Sequence, residues 1–303
     1  MSAVATKPRL GFLGVGWIGR NRLVAIERSG IAEIAGICDP AVEASQDLDE
    51  LDLDGVVIAT PSALHAAQAI AALERGRAVF CQKPLARTAA EARDVVAAAR
   101  DADRLLGVDL SYRHVRAFAA AREIVRSGAL GEIVAAELVF HNAYGPDKPW
   151  FRDPTLAGGG CLIDLGTHLV DFALWTLGPL EVGDVRTVGE PVEHFASARL
   201  GSATIACSWN LHAGADAVIA ARVYGELGGV EVANVGGSFF DFRCDRLQGT
   251  WRETLVEGAD DWMGRAAVAW AERLAHGERF DAAAGDELIR VHEILDELYG
   301  TSP

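Results

Sequence analysis

The first third of the chain alternates short, almost unbroken apolar runs with longer alanine-rich stretches. Runs that are apolar throughout are typical of strands in a parallel sheet whose two faces are both covered. The alanine-rich stretches predict helices, and glycines end them. The pattern therefore predicts a doubly wound α/β domain over residues 1–112. Its predicted strands are 9–13, 34–38, 56–59, 78–81 and 105–110.

Beyond residue 112 the rhythm changes to longer segments rich in valine, alanine and aromatic residues. Turns that contain glycine and aspartate separate most of these segments without helices between them, which favours antiparallel pairing. We predict an α+β domain over residues 113–303 with a large, open, mostly antiparallel sheet, and we allow for the C-terminal helix packing back on the first domain. The predicted strands are 132–141, 196–200, 203–211, 218–224 and 230–235, and the predicted helices are 115–126, 162–177, 261–276 and 285–299.

Composition and charge narrow the classes of function. A chain of 303 residues, half of them hydrophobic, has enough apolar material for two domains. The formal net charge of −15 argues against binding to nucleic acids or anionic membranes, because both require clustered Lys and Arg. The N-terminal residues lack the apolar core of a signal peptide, and the five cysteines form no CxxC pair. We therefore expect a cytoplasmic protein without a disulfide framework or a zinc site.

A glycine-rich turn joins the first predicted strand to the helix after it, in the pattern Gly14-x-Gly16-x-x-Gly19. In a dinucleotide-binding fold, the first glycine permits the tight turn, the second lets the backbone approach a pyrophosphate, and the third lets the helix pack on the sheet. The helix N-terminus then faces the anion. The same pattern occurs in ordinary turns, but a strand before it and a helix after it favour nucleotide binding.

An acidic residue, Asp39, ends the second predicted strand. Its carboxylate can accept hydrogen bonds from the hydroxyls of an adenosine ribose. No Arg or Lys stands between Arg28 and Arg75 to attract a 2′-phosphate. The sequence therefore favours NAD over NADP as the cofactor. The alternative interpretation is that Asp39 is a simple turn residue before Pro40.

A lysine follows the fourth predicted strand, in the segment Gln82-Lys83-Pro84. Ligands of open α/β sheets bind at the carboxyl ends of the strands, and the proline stiffens the turn. A lysine at such a place can donate a hydrogen bond to a substrate oxygen and stabilise developing negative charge. On spacing alone, a solvated surface lysine is an equally good interpretation.

The most unusual stretch runs from a triple glycine, 158–160, through Asp164 and His168 to Asp171. The spacings place the three polar side chains on one side of a helix. An imidazole beside a carboxylate suits proton transfer near neutral pH, and the glycines would let a cofactor or substrate approach closely. A buried polar cluster that caps the helix is the alternative. A metal site is not favoured, because the sequence lacks HExxH and a second ligand cluster.

Together these residues resemble the glucose–fructose oxidoreductase, inositol dehydrogenase and rhizopine-catabolism family, abbreviated Gfo/Idh/MocA. The resemblance covers nearly the whole chain and implies a Rossmann domain followed by an open-sheet domain, with the sheet forming a homodimer or homotetramer. It implies hydride transfer between NAD and a carbinol carbon of a sugar, polyol or cyclitol. It rests on the glycine turn, Thr60-Pro61 followed by His65, Lys83-Pro84, Tyr112-Arg113, Gly128-x-x-Gly131 and the 158–171 segment.

The resemblance also implies roles for individual residues. Lys83 matches the catalytic lysine of the family, and Asp164 and His168 match its acid–base pair. The cofactor-binding positions that it implies are Gly14, Gly16, Trp17, Ile18, Gly19, Asp39, Thr60, Pro61, His65, Gln82, Lys83 and Arg113. The substrate positions are Tyr112, Trp150 and Arg152. The sheet offers further pocket candidates, for which a core or surface place is the more natural interpretation: Asn142, which we also predict as a substrate position, Tyr144, Trp209 and His212.

Two features depart from the family pattern. Gln82 stands where the family usually has a glutamate, which changes the field around Lys83. The segment between Asp39 and Asp54 is also too short for the usual helix–strand unit. We expect one peripheral helix or strand to be lost, which would leave the adenine side more open.

The hypothesis from sequence is reversible alcohol oxidation. His168 removes the hydroxyl proton with help from Asp164, and Lys83 holds the same oxygen. Three alternatives stay open: a sensor that binds NAD(H) and a sugar without turnover, a relative that uses transient NAD oxidation for glycoside cleavage or elimination, and reduction of an imine or a ketone. An absorbance change in the NADH band separates the sensor from the enzymes.

Overall fold

The computed structural model describes residues 7–43 and 45–300, and the chain falls into two compact units. One unit comprises the chain up to Ser111 together with Met263–His292. The other comprises Tyr112–Trp262 and the chain from Glu293 onward. The expectation about a signal peptide falls mainly on residues 1–6, which lie outside the described residues.

Strands and helices alternate along the first unit, and a long series of strands follows. The strands are β1 (Arg9–Leu13), β2 (Glu33–Cys38), β3 (Gly55–Ile58), β4 (Ala78–Cys81), β5 (Leu106–Val108), β6 (Ile133–Asn142), β7 (Val182–Val188), β8 (Phe195–Leu200), β9 (Ala203–Ser208), β10 (Ala217–Gly225), β11 (Gly228–Asn234), β12 (Phe242–Gln248) and β13 (Trp251–Val256). The helices are α1 (Trp17–Ser29), α2 (Ser62–Glu74), α3 (Ala89–Asp101), α4 (Arg116–Arg126), α5 (Pro154–Ala157), α6 (Thr167–Leu177), α7 (Arg265–Ala275) and α8 (Ala282–Tyr299). Within the described ranges, none of these helices has both the length and the apolar character needed to cross a bilayer.

The first unit is built on a five-stranded parallel sheet in the order β2-β1-β3-β4-β5. Strands β3 and β4 are buried along their whole length, because helices cover both faces of the sheet. Leu73 of α2 and Val95 of α3 belong to one apolar cluster, and Ile26 of α1 and Trp270 of α7 belong to the other. This arrangement confirms the predicted doubly wound parallel sheet.

The connection between β2 and β3 is short, as its length in the sequence predicts. The described residues between the two strands form one 3₁₀-helix, Leu48–Glu50, and no α-helix or strand. The side chains of Leu48 and Leu51 pack directly on the strands here. A Cβ on Gly11 would lie 2.9 Å from Leu48, and a Cβ on Gly36 would overlap Leu51. Glycines in β1 and β2 therefore make room for the leucines that cover this edge of the sheet.

A buried ion pair joins α1 to the segment after β5. Arg22 and Asp109 are 3% and 1% exposed, and Nε of the arginine donates to Oδ2 of the aspartate at 2.5 Å. The Ser111 hydroxyl donates to Oδ1 of Asp109 and accepts from Nη2 of Arg22. Over the described residues, Nη1 of Arg22 is buried without a hydrogen-bond partner. Each charge depends on the other, because a lone ion this deeply buried is strongly destabilising.

The second unit is built on an eight-stranded sheet in the order β13-β12-β11-β10-β6-β9-β8-β7. The β6–β9 pair is parallel, and all other neighbouring strands are antiparallel. Leu138 and Phe140 of β6 and Ile205 of β9 are buried on the face that α4 and α6 cover. This sheet confirms the predicted open, mostly antiparallel architecture.

Three strands of this sheet, β7, β12 and β13, are absent from the sequence prediction. Strands β7 and β13 lie at the two edges, and most of their side chains are exposed. Because β7 and β13 bury little apolar surface, the apolar alternation that predicts a strand is missing from them. Strand β12 buries Phe242 and Cys244, but its alternation is cut short by Asp245, which pairs with Arg243 and with Arg252 of β13.

Candidate active site

The glycine turn lies at the carboxyl end of β1. Gly14 has a φ of 84°, and a Cβ there would lie 2.7 Å from the carbonyl oxygen of Ala59. A Cβ on Gly19 would overlap the carbonyl oxygen of Gly14, so α1 packs this closely only because residue 19 is glycine. Gly16 is the N-cap of α1 and makes no side-chain hydrogen bond to the first N–H groups. The turn therefore has the form that a pyrophosphate requires.

Asp39 is held against this turn at the end of β2. The Val15 N–H donates to Oδ2 of the carboxylate at 2.7 Å, and the Ala41 N–H donates to Oδ1 at 2.8 Å. The N–H of Asp39 itself donates to the Ser45 hydroxyl at 3.1 Å. Each carboxylate oxygen has a second lone pair, so both can still accept a hydrogen bond from a ribose hydroxyl. The glycine turn and Asp39 together fit the dinucleotide that the sequence predicts.

Lys83 lies in the turn that follows β4. The peptide bond between Lys83 and Pro84 is cis, and the lysine is half-buried. Oε1 of Gln82 accepts a hydrogen bond from the Lys83 N–H at 2.7 Å, and the Gln82 N–H donates to the carbonyl oxygen of Ile58. A glutamate at position 82 could accept the same hydrogen bond. The departure from the family pattern therefore preserves the contact that shapes the lysine turn.

His65 joins two loops at the carboxyl edge of the sheet. Its Nδ1 lies 2.7 Å from the Pro84 carbonyl oxygen, and its Nε2 lies 2.8 Å from that of Thr60. Burial lowers the pKa of His65, and the charge of Lys83 adds to this effect against the two carbonyl contacts. Both ring nitrogens face backbone oxygens and the side chain is 1% exposed. The expectation that His65 itself contacts a cofactor is therefore corrected: its ring connects the Thr60 loop to the lysine turn.

Asp164 and His168 are the two residues of a buried helical segment whose side chains reach solvent in part. Between residues 159 and 173, these two are half-buried, and every other residue is buried. Asp164 lies in a π-helical turn, Leu162–Gly166, and His168 lies in the first turn of α6. The sequence predicts a regular helix here, whereas the structure shows a π-helical entry, a feature frequent at functional sites. The segment presents two ionisable side chains and buries the rest of its surface.

The start of this helix is held by a buried carboxylate. Glu193 accepts hydrogen bonds from the N–H groups of Gly160 and Leu162, at 3.0 and 2.8 Å. The Tyr299 hydroxyl donates to Glu193 at 2.8 Å and accepts from the Ile163 N–H at 3.1 Å. These contacts satisfy N–H groups that a helix N-terminus leaves without partners, and negative charge is favoured there.

Two glycines of the triple, Gly159 and Gly160, serve the same contacts. A Cβ on Gly159 would overlap the Tyr299 hydroxyl, and a Cβ on Gly160 would overlap the backbone of Glu193. At these two positions protein atoms, and not a cofactor or substrate, occupy the space beside the glycine. The glycines instead let Glu193 and Tyr299 reach the first turn of the Asp164 helix.

Two buried aromatic residues contact Asp164 and His168. Trp209 is 1% exposed, and its Nε1 donates to Oδ2 of Asp164 at 3.1 Å. Tyr112 meets His168 edge-on, with ring centroids 4.8 Å apart. Burial, reinforced by the charge of Asp164, raises the pKa of Tyr112, so its phenol stays protonated. Tyr112, expected at the substrate, is 6% exposed and packs among aromatic rings against the imidazole.

Arg113 and Asp171 form an ion pair. Nη2 of the arginine donates to Oδ1 of Asp171 at 2.6 Å, and Nε lies 3.1 Å from both carboxylate oxygens. Asp171 is 2% exposed. Its carboxylate is neutralised by Arg113, which counts against the metal-site alternative. In the ranges that the structure describes, no three His, Cys, Asp or Glu side chains are arranged to hold a metal ion.

The remaining predicted cofactor residues lie near the glycine turn and the β3 end of the sheet. Trp17 and Ile18 open α1, and the Trp17 side chain is 64% exposed. Thr60 and Pro61 lead into α2, and the Thr60 hydroxyl donates to Oε1 of Gln68 at 2.6 Å.

The predicted substrate residues of the second unit occupy the end of β6 and the loop after it. Oδ1 of Asn142 is buried without a hydrogen-bond partner over the described chain. Trp150 stacks on Phe151 with centroids 3.8 Å apart, and Arg152 is exposed. Two further pocket candidates, Tyr144 and His212, are exposed.

The sequence does not indicate that Glu193 and Tyr299 support the start of the Asp164 helix. Neither lies in a local pattern that predicts its contacts, because Glu193 is 33 residues from Gly160 and Tyr299 is 136 residues from Ile163. The one signal of these contacts in the sequence is the pair Gly159-Gly160. Consecutive glycines at the start of a helix indicate close approach, but the sequence does not say what approaches.

Two profiles of one protein family match the chain. The GFO/IDH/MocA C-terminal domain matches residues 118–231, and the NAD-binding Rossmann fold of the same oxidoreductase family matches residues 8–110. Together they cover well over half of the chain. The chain belongs to the GFO/IDH/MocA oxidoreductase family. The resemblance found in the sequence is thereby confirmed.

Several curated relatives resemble this GFO/IDH/MocA protein. The 1,5-anhydro-D-fructose reductase of Ensifer adhaerens is 31% identical over 56% of each chain. The levoglucosan dehydrogenase of Pseudarthrobacter phenanthrenivorans is 36% identical over 43% of this chain and 35% of its own. The D-glucoside 3-dehydrogenase of Escherichia coli is 31% identical over 48% of this chain and 47% of its own. The chain spans about half the length of the curated relatives it matches.

Solved structures share the fold over nearly the whole chain. A 3-ketoreductase from Actinomadura kijaniata in complex with NADP and TDP-benzene has a TM-score of 0.86 at 21% identity, covering 98% of both chains. A levoglucosan dehydrogenase in complex with NADH has a TM-score of 0.83 at 19% identity, also covering 98% of both. At these identities the likeness shows the fold alone.

Proposed function

We propose that this GFO/IDH/MocA protein is a NAD-dependent oxidoreductase that transfers a hydride between nicotinamide and a carbinol or carbonyl carbon of a sugar, polyol or cyclitol. The observation that carries the proposal is the Asp164–His168 pair. These two ionisable side chains are half-buried in a helix segment whose other residues are all buried. They are therefore the two positions of the segment that a substrate can reach.

The cofactor would be held by the glycine turn and Asp39. The first N–H groups of α1 would bind the pyrophosphate, and the Asp39 carboxylate would accept from the ribose hydroxyls. When bound, the nicotinamide supplies the hydride donor or acceptor. NAD is favoured over NADP, because the 2′-phosphate would meet a carboxylate and the sequence between Arg28 and Arg75 offers no cation. The contacts assigned to Trp17, Ile18, Thr60, Pro61, Gln82 and Arg113 belong to the same proposal.

The chemistry of the substrate hydroxyl is assigned to three side chains. His168 accepts the hydroxyl proton during oxidation and returns it during reduction, and Asp164 stabilises the charged imidazole. Lys83 donates to the substrate oxygen and stabilises its negative charge as it develops. General acid–base catalysis of this kind contributes roughly 10²–10⁴-fold to the rate.

A sugar-like substrate is the best-supported class. The relatives are named as a reductase of an anhydro sugar, a dehydrogenase of levoglucosan and a dehydrogenase of D-glucosides. Asn142 fits such a substrate, because its buried Oδ1 lacks a donor and a hydroxyl could supply one. Tyr112, Trp150 and Arg152 complete the substrate positions proposed from the sequence.

The open face of the large sheet is proposed as the surface of a homodimer or homotetramer. Small apolar side chains lie on this face along the central strands, including the half-buried Val139 of β6 and Ala206 of β9. A groove of about 350 Å³ crosses this face between Val139 and Arg186. Light scattering of the purified protein measures the assembly, and an arginine substituted for Ala206 should convert it to monomers.

The decisive experiment measures NADH absorbance with a panel of sugars, polyols and cyclitols. Lys83→Ala and His168→Ala should each lower turnover by at least a hundredfold while NADH binding is retained. Lys7→Ala and His276→Ala remove an exposed lysine and an exposed histidine elsewhere and serve as matched controls. Turnover within tenfold of wild type in both test variants would contradict the assignment. Binding of NADH and sugar without any absorbance change would indicate a sensor.

A further inference from the structure

We propose that Trp209 is a positioning residue, which holds the Asp164 carboxylate in the orientation that the acid–base pair requires. The inference rests on the proposed function, because that function assigns proton transfer to His168 with the help of Asp164. It adds a residue from the sheet to a pair that belongs to one helix.

The indole of Trp209 is fixed before it meets Asp164. Trp209 follows the last residue of β9, and its backbone N–H donates to the carbonyl oxygen of His194 at 2.8 Å. The ring is 1% exposed, and Phe151 lies against it edge-on with centroids 6.4 Å apart. The indole N–H therefore comes from a rigid part of the fold, not from a mobile surface side chain.

The bond to Asp164 fixes the orientation of its carboxylate. A half-buried carboxylate can rotate toward solvent, and a fixed donor at 3.1 Å from Oδ2 opposes that rotation. The donor is neutral, so it does not compete with the imidazolium for the carboxylate. A lysine or arginine at this position would pair with Asp164 and weaken its effect on His168.

A second buried tryptophan shows that the N–H contact is specific. Trp270 of α7 is 3% exposed, and its Nε1 has no hydrogen-bond partner in the part of the chain that the structure describes. Burial of an indole therefore does not by itself produce a contact like that of Trp209. Trp270→Phe also removes the same atoms as Trp209→Phe, but without removing a hydrogen bond, and it is the matched control.

The first test detects the hydrogen bond between Trp209 and Asp164 directly and does not depend on catalysis. The chain has seven tryptophans, so ¹H–¹⁵N spectra should contain seven indole N–H signals, and Trp209→Phe assigns the one of interest. We expect Asp164→Ala to move the Trp209 signal upfield while the Trp270 signal stays in place. A Trp209 signal that stays at its wild-type position in Asp164→Ala would overturn the inference, whatever the protein catalyses.

The second test reads the consequence for catalysis. Trp209→Phe should lower kcat by about tenfold to a hundredfold, the range that a lost hydrogen bond to a charged group corresponds to. The KM for NAD should be unchanged. Trp270→Phe should leave kcat close to the wild-type value.

A double-mutant cycle separates positioning from general loosening of the fold. In the Asp164→Ala background, Trp209→Phe should change kcat by less than about twofold, because the two residues act as one unit. Equal effects of Trp209→Phe in the presence and absence of Asp164 would overturn the inference. The proposed function fails separately, if His168→Ala and Lys83→Ala keep near wild-type turnover.

Discussion

The Tyr299 hydroxyl gives the sharpest test of how the Asp164 helix is held. Tyr299→Phe removes one oxygen and leaves the aromatic ring in place beside Gly159. The lost oxygen donates to the Glu193 carboxylate at 2.8 Å and accepts from the Ile163 N–H at 3.1 Å. Two hydrogen bonds therefore disappear, and one backbone N–H at the helix start is left without its acceptor.

The size of the effect follows from these two contacts. A hydrogen bond to a charged group contributes about 1.5–3 kcal/mol, and one between neutral groups contributes about 0.5–1.5 kcal/mol. We expect Tyr299→Phe to lower the free energy of unfolding by about 2–4 kcal/mol. In a domain of the size of the second unit, each kcal/mol shifts Tm by about 2–4 °C. The expected fall in Tm is therefore roughly 4–16 °C.

Thermal unfolding followed by circular dichroism measures this shift. Tyr144→Phe is the control, because Tyr144 is 50% exposed. We expect that control to unfold within about 1 °C of wild type, as surface substitutions do. The reasoning would be refuted if Tyr299→Phe unfolded at the same temperature as Tyr144→Phe. The double variant with Glu193→Gln and Tyr299→Phe tests whether the two residues share one contact. A fall in its Tm equal to the sum of the two single falls would also contradict the reasoning.

Two further predictions concern the first unit. Gly19→Ala should weaken NADH binding at least tenfold, since the new Cβ would overlap the carbonyl oxygen of Gly14 and displace the turn; fluorescence titration measures this, and an unchanged Kd would contradict it. Arg22→Met should destabilise the unit by about 3–5 kcal/mol in urea unfolding, because it leaves the buried Asp109 carboxylate unpaired. Adding Asp109→Leu should restore part of that loss, and a single-variant loss under about 1 kcal/mol would argue against the ion pair.

The elements that the sequence predicts well are those decided by local pattern. The parallel strands of the first unit are apolar on both faces, so β3 and β4 stand out against polar neighbours. The glycine turn is equally local, because Gly14 and Gly19 are constrained by atoms within the same strand–turn–helix unit or the adjacent strand. Edge strands β7 and β13 escape detection, since solvent on their exposed faces allows charged residues.

The sequence singles out Asp164 and His168 by their spacing, but it does not indicate the residues that support them. Asp164 and His168 share a helix and are four residues apart, so their exposure on one segment follows from spacing. Their partners come from far along the chain: Trp209 is 45 residues from Asp164. Interactions over such separations depend on how the sheet is ordered, and no periodicity in the sequence encodes that order. For the same reason, the sequence alone does not show that Gly159 and Gly160 make room for protein atoms and not for a ligand.

The position of Asp39 bears on any attempt to re-engineer coenzyme preference. Its carboxylate is tied to the Val15 and Ala41 N–H groups, so the same side chain that would discriminate between coenzymes also anchors the loop around it. Replacing it with a small neutral residue to admit a phosphorylated ribose would release both amides. A successful redesign would need a second substitution that returns an acceptor to Val15, together with a cation in the neighbouring loop. Selectivity and loop architecture are thus encoded in one residue and would have to be changed together.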